Sequence, residues 1–163
     1  DLCHGLRVNP ATQGFKRIGP MDLRKLTDDF SVSPQVDAAH MREIAGAGFK
    51  SIMCNRPDHE EQMQPEYEAI AEAAQREGLE VAWIPIASGI MGPDALAQFD
   101  RALKTMPRPM LAYCRSGTRC TMLWAFTQHG RMDDADIIEC AAKAGYDVSG
   151  LIGQMSQKDP YAR

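Results

Sequence analysis

Apolar positions along the chain keep switching between two periods. DFSVS (29–33) is a short strand candidate stopped by Pro34, and VDAAHMREIAGAG (36–48) then carries apolar residues at helical spacing and ends on glycine. FKSIMC (49–54) reads as the next strand. PEYEAIAEAAQREG (65–78) starts with proline and closes with glycine, the order a helix favours. LEVAWIPIA (79–87) is an apolar, β-rich run, PDALAQFDRALKTM (93–106) another helix with a proline start, and PMLAYC (109–114) an almost wholly apolar strand. Three helical stretches follow, TMLWAFTQHG (121–130), MDDADIIECAAKAG (132–145) and VSGLIGQMSQ (148–157). Strands alternating with helices predict βαβ units: a mainly parallel central sheet of four to five strands, flanked by helices on both faces. The resulting fold class is α/β, in a single domain.

Composition narrows this little. The chain has 163 residues, 44% hydrophobic and 25% charged, which suits one globular domain. A net charge of −4 argues against nucleic acid as a partner, because phosphate neutralisation needs a basic face. No apolar run is long enough to span a membrane, and the first twenty residues lack the apolar stretch of a secretory signal. Five widely spaced cysteines, an odd number, predict free thiols in a reducing compartment, so the cytoplasm is the expected location. Residues 1–20 show no period and are read as a tail, linker or cloning remnant, with Met21 as a natural start. The domain is expected over 21–157, followed by a short tail at 158–163. Cys3 is incidental on this reading, and Cys54 and Cys140 belong in or near the core.

The chemistry concentrates in LAYCRSGTRC (111–120). Ligands of open parallel sheets bind beyond the carboxyl ends of the strands, and Cys114 stands there, directly before a helix expected to start near Arg119 or Cys120. A helix N-terminus offers unpaired N–H groups and partial positive charge. A loop wrapped around Cys114 would aim those amides inward. Gly117 supplies the backbone freedom for the turn, and Arg115 and Arg119 add permanent cations. Such surroundings lower a cysteine pKa from about 8.5 to roughly 3.5–7.5. Cys114 therefore reads as a nucleophile, with Arg119 as its catalytic partner. Arg115, Ser116, Gly117, Thr118 and Cys120 form the substrate-binding loop. The reading requires Cys114 to be reachable from solvent.

Arg56, in CNRPDHEE, follows a strand at the same sheet edge and is a further anion contact, with Asp58 and Glu60 able to orient it. The alternative for Arg56 is an exposed loop salt bridge. Glu60 and Glu61 otherwise look like a solvated face, and His59 a solvent-exposed loop residue. His40 and His129 have no partner histidines, so no metal or cofactor is expected. Trp83, Trp124 and Met110 read as core.

The loop is similar to two known solutions, the cysteine-dependent phosphatases with five residues between cysteine and arginine, and the rhodanese-type sulfurtransferases with a shorter loop. Here four residues separate Cys114 from Arg119. That smaller ring of amides should suit a persulfide sulfur better than a phosphoryl group. With DFSVSPQ, GFKSIMCNRPDHEE, VAWIPI and YCRSGTR, the chain resembles, over 21–130, a bacterial family of small sulfurtransferase-like domains. That family is also described as phosphatase-like and as the partner domain of β-lactamase-fold hydrolase-like proteins. The resemblance implies a dual-specificity-phosphatase-like fold with a rhodanese-length loop. It also implies a role in sulfide or persulfide metabolism, beside a persulfide dioxygenase or another sulfide-oxidation enzyme.

Two departures bear on this. A phosphatase needs a general-acid aspartate, yet WIPIASGIMGPD has Ser88 and Gly89 where one is first sought, and Asp94 reads as an early-helix residue. Cys120 stands where a hydroxyl is usual; it is either a second redox-active thiol or a small packed residue. The sequence expectation is thus a sulfurtransferase passing sulfane sulfur from thiosulfate or a small-molecule persulfide, through Cys114, to a thiol acceptor. The alternatives are a cysteine-dependent phosphatase, and a redox sensor or sulfur carrier using Cys114 and Cys120.

Overall fold

The apolar runs form one five-stranded sheet in the computed structural model, which describes residues 20–87 and 90–158. The strands are β1 (Arg24–Thr27), β2 (Phe30–Ser33), β3 (Ser51–Cys54), β4 (Glu80–Trp83) and β5 (Met110–Tyr113), in the spatial order β1-β2-β5-β3-β4. β2, β5, β3 and β4 run parallel, and β1 is antiparallel at the edge. β5 is central, with Tyr113 level with Ser33 on one side and Cys54 on the other.

Side chains of a strand alternate between faces, and β5 shows the consequence. Leu111 and Tyr113 join Ile52 and Cys54 against Ile44 of α1 (Met41–Gly46) and Ile70 of α2 (Tyr67–Arg76). Met110 and Ala112 join Val32 and Met53 on the other face. There they meet Phe99 of α3 (Pro93–Thr105), Leu123 and Trp124 of α4 (Thr118–Gln128), Ile137 of α5 (Asp134–Lys143) and Ile152 of α6 (Ser149–Lys158). Both faces are covered, which is why β5 carries no exposed polar position at all.

The expected α/β domain with a mainly parallel sheet is what the chain forms. Differences are local. β1 had no counterpart in the strand pattern, because only Leu26 of Arg-Lys-Leu-Thr is buried. The helix expected over 36–48 divides into a 3-10 turn (Ala38–His40), capped by Asp37, and the short α1. The β-rich run 79–87 keeps ladder pairing only to Trp83, after which Ile84 and Ile86 stay buried without being strand. α4 starts at Thr118, so Arg119 and Cys120 lie inside its first turn. Trp83, expected in the core, is 41% exposed and stacks on Tyr67 with 4.9 Å between ring centroids. Trp124 and Met110 are buried as expected. The readings of 1–19 and of 159–163, Cys3 included, and of Ser88 and Gly89 lie outside the described residues. Among the described residues no helix is long and apolar enough to cross a membrane.

Candidate active site

The loop 114–117 leaves the central strand between two anchors. The Cys114 N–H donates to Ser33 O (3.4 Å) and the Gln35 N–H donates to Arg115 O (3.2 Å), so the extension of β2 holds one side. On the other, the Asn55 N–H donates to Tyr113 O (2.9 Å). The chain then reverses at Gly117, whose φ of +88° lies in the left-handed region that favours glycine. A side chain there would also overlap the Tyr146 hydroxyl. Gly117 O accepts from both the amide (3.0 Å) and the hydroxyl (2.8 Å) of Thr121, which ties the turn into α4. Ser116 Oγ donates to Thr118 Oγ1 (2.9 Å), so both hydroxyls face each other on the exposed rim.

Within this turn the Gly117 N–H donates to Cys114 Sγ at 3.1 Å. The Cys114 pKa is pulled down to about 5, first by a hydrogen bond from the Cys120 side chain and further by the amides of Cys120, Gly117 and Ser116, against the opposing effect of burial. Cys114 is thus a thiolate at neutral pH. Cys120, wholly buried on the first turn of α4, goes the other way: burial, and then the neighbouring Cys114, push its pKa well up. One of the pair holds the proton and donates it in a hydrogen bond to the other. Cys54 is also held protonated, raised to about 11 by burial. Cys54, Cys114, Cys120 and Cys140 are all free thiols, with Cys140 only partly buried.

Arg119 is held by the loop after β3. Its guanidinium grips both oxygens of Glu60 (2.8 Å each) and donates to Ile86 O (2.9 Å). Arg56, 2% exposed, donates to the same carboxylate (2.8 Å) and to Gln35 Oε1 (2.9 Å). Arg119, ahead of Arg56, holds the Glu60 carboxyl down at about 2. Arg115 reaches out to Glu61 at 2.7 Å. The loop after β3 therefore lies across the cysteine loop as a strap, two carboxylates against three guanidinium groups.

This arrangement gathers Cys114, Arg115, Ser116, Gly117, Thr118, Arg119, Cys120 and Arg56 at one sheet edge. It also corrects the sequence reading. Glu61 stays on the exposed face with Arg115 as a partner, but Glu60 beside it is the carboxylate shared by two arginines. Arg56 is buried, not an exposed salt bridge, and Glu60 rather than Asp58 orients it. Asp58 instead accepts from the Tyr67 N–H (2.8 Å) at the start of α2. Cys114 has no exposed surface, so the opening that the reading requires is closed in this conformation. Two neighbours escaped the sequence altogether. Gln35 braces Arg56, and Tyr146 donates to Ser116 O at 2.8 Å. The four-residue spacing of Arg56 and Glu60 was a legible signal for that pair, whereas nothing local announces Tyr146. His59, as expected, is exposed, and Met110, Trp124 and Cys54 stay in the core.

A family model described as "Beta-lactamase hydrolase-like protein, phosphatase-like domain" matches residues 22–131. A Beta-lactamase hydrolase-like protein of Xylella fastidiosa is 30% identical over 134 residues, covering 81% of this chain and 31% of its own length. The chain thus spans about a third of the curated relatives it matches. A crystal structure from Neisseria meningitidis, described as that of a candidate phosphatase, is 31% identical with a TM-score of 0.76. That match covers 86% of this chain and all of the other. A structure of kinase associated phosphatase, at 13% identity and TM-score 0.60 over 85% of this chain and 94% of that one, shares the fold. The chain belongs to the family of phosphatase-like domains of beta-lactamase hydrolase-like proteins.

Proposed function

We propose that the domain hydrolyses phosphomonoesters through a covalent cysteinyl-phosphate on Cys114. The observation that carries this is the thiolate itself, held at about pKa 5 in a ring of amides that ends on Arg119, in a chain of a phosphatase-like family. In the first step Cys114 Sγ attacks phosphorus. The S–P bond forms, the ester P–O bond breaks, and its electron pair leaves on the ester oxygen. The loop amides and Arg119 take up charge on the phosphoryl oxygens. Water then attacks phosphorus, the P–S pair returns to sulfur as thiolate, and the water proton passes to solvent.

The charges set the substrate class. Glu60, at about 2, is ionised and committed to Arg119 and Arg56, so it has no proton to give a leaving alcohol. Esters whose leaving oxygen departs as a stable anion, aryl rather than alkyl, are therefore the substrates. Three arginines (56, 115, 119) against Glu60 and Glu61 leave one net positive charge, which the thiolate matches. An incoming dianion needs another cation. Arg115 supplies it by releasing Glu61, a pair exposed at both partners and worth only about 0–1 kcal/mol. Its release also begins to open the strap over Cys114.

A second reading, sulfane-sulfur transfer, is favoured by one specific feature: only four residues separate Cys114 from Arg119, and the next residue is a thiol hydrogen-bonded to Cys114. There the thiolate attacks the outer sulfur of thiosulfate, a new S–S bond forms, and sulfite leaves with the electron pair of the old one. An acceptor thiolate removes the sulfur afterwards. No acid is needed because sulfite leaves as an anion. Turnover of an aryl phosphate and of thiosulfate, measured side by side on the wild type and Cys114→Ser, separates the two. The proposal expects aryl phosphate hydrolysis that Cys114→Ser abolishes. Thiosulfate turnover with no phosphate release overturns it in favour of the second reading.

A further inference from the structure

The Ser116–Gly117 peptide makes a hydrogen bond at each end. Its carbonyl accepts from the Tyr146 hydroxyl at 2.8 Å, and its N–H donates to Cys114 Sγ at 3.1 Å. In a planar trans peptide these two groups point in opposite directions, so fixing one fixes the other. Something has to fix them. Gly117 has no side chain and tolerates most backbone conformations, so the peptide before it is free to rotate unless tied. Loss of that orientation would aim a carbonyl oxygen, rather than an amide hydrogen, at a negatively charged sulfur.

Tyr146 is well placed to act as the tie. It lies in the turn between α5 and α6 and is 8% exposed. Its amide donates to Ala141 O (2.9 Å). The Arg24 guanidinium stands 5.1 Å over its ring and donates to Ala144 O (3.2 Å) in the same turn. Arg24 is held in turn by Asp22, at 2.8 Å. A series of contacts runs from Asp22 through Arg24 and Tyr146 to the peptide facing the thiolate.

We infer that Tyr146 is a positioning residue: its hydroxyl holds the Ser116–Gly117 peptide so that the Gly117 N–H remains on the Cys114 thiolate. Tyr146 lies beyond residue 131, where the family match ends, so the domain's helical C-terminal part is recruited to the reactive loop. The Tyr146 phenol is itself pushed up, chiefly by burial, with the Cys114 charge among the causes. The inference gives a role to a residue behind the proposed nucleophile, and in that sense rests on the reading of Cys114 as reactive. Its test needs no turnover.

Tyr146→Phe keeps the ring and its contact with Arg24 and removes only the hydroxyl. The experiment is the pH dependence of Cys114 alkylation by iodoacetamide between pH 4 and about 8, followed on the Cys114 peptide by mass spectrometry because other cysteines are present. The groups facing Cys114 stay in one state over that range. Cys54 and Cys120 are raised and protonated, Glu60 is ionised, and the guanidinium groups of Arg56, Arg115 and Arg119 are permanent cations. Facing Tyr146 are Arg24, Asp22, Cys114 and Cys120; Asp22 is lowered by Arg24 and titrates below the window. The expected result is an alkylation midpoint raised by about half to one pH unit in a protein that still unfolds cooperatively in urea. An unchanged alkylation midpoint in a folded Tyr146→Phe protein overturns the inference. Should Tyr146→Phe not fold, Arg24→Gln, which loosens the Tyr146 ring, decides: a smaller upward shift supports the role, and none overturns it. If Cys114→Ser kept its activity, the proposed function would fail while this titration still gave its own answer.

Discussion

At the scale of single residues, the molecule separates three buried thiols by environment alone. Cys54 is raised to about 11 because burial outweighs its hydrogen bonds; Cys120 is raised as well; Cys114, with a donated thiol and loop amides, falls to about 5. The sign of the consequence for stability is fixed. A group whose pKa drops on folding contributes stability that is absent below the folded value and complete above the unfolded one. Cys114 therefore stabilises the fold progressively from about pH 5 to pH 9. Cys54, raised on folding, contributes nothing below about pH 9 and destabilises between there and about 11. Urea unfolding of the wild type and Cys114→Ser across pH 5–10 checks this: the wild-type advantage should grow up to about pH 9 and then level off. An advantage that shrinks over that range would contradict the thiolate assignment. Cys114, Arg115 and Arg119 were legible in the sequence because the loop is local and the residue types state their chemistry. The donor role of Cys120 was not, since it depends on side-chain directions at the first turn of a helix that begins earlier than its apolar period does.

At the scale of elements, the site is a junction of β5, the turn into α4 and the strap after β3. Gly117 is the tightest point of the turn. Gly117→Ala forces a side chain into a left-handed conformation and against the Tyr146 hydroxyl. It should cost at least about 1–2 kcal/mol in denaturant unfolding and remove most turnover. The strap depends on Glu60. Glu60→Ala leaves the Arg56 guanidinium, in a residue 2% exposed, with Gln35 and Glu61 as its polar partners among the described residues, and leaves Arg119 its bond to Ile86 O. Removing one partner of a buried pair typically costs about 3 kcal/mol, and unfolding in urea should show a loss of that order. A loss below about 0.5 kcal/mol would mean that the three-arginine network is a surface feature. The elements themselves were mostly readable, because strands β2, β3 and β5 are short apolar runs between glycine- and proline-marked helices. β1 was not, since one buried leucine among charged residues carries no period. The strap was misread because Glu60 and Arg119 are 59 positions apart, and only the parallel register of β3 beside β5 brings them together.

At the scale of the whole molecule, a parallel sheet with β5 at its centre places the Cys114 loop where the ends of β2 and β3 brace it on both sides. The same sheet covers its second face with α3 to α6, so α5 and α6 become the support from which Tyr146 reaches the loop. Periodicity predicted this architecture; it could not predict that the C-terminal helices buttress the site, because their own apolar pattern reports only which face is inward. The choice between phosphoryl and sulfur chemistry also belongs to this scale. Loop length points one way and family membership the other, and both chemistries run through the same thiolate. The proposed hydrolase, whose Glu60 has no proton to give, should favour aryl over alkyl phosphates by a large factor in kcat/KM. Equal rates would require an acid that Glu60 cannot be.

The covalent intermediate is the most direct measurement. Wild-type protein mixed with an aryl phosphate, quenched within one turnover and digested, should yield the Cys114 peptide heavier by one phosphoryl group, and Cys114→Ser should yield none. Phosphate release without any adduct on Cys114, or an adduct that forms only with thiosulfate, would contradict the account.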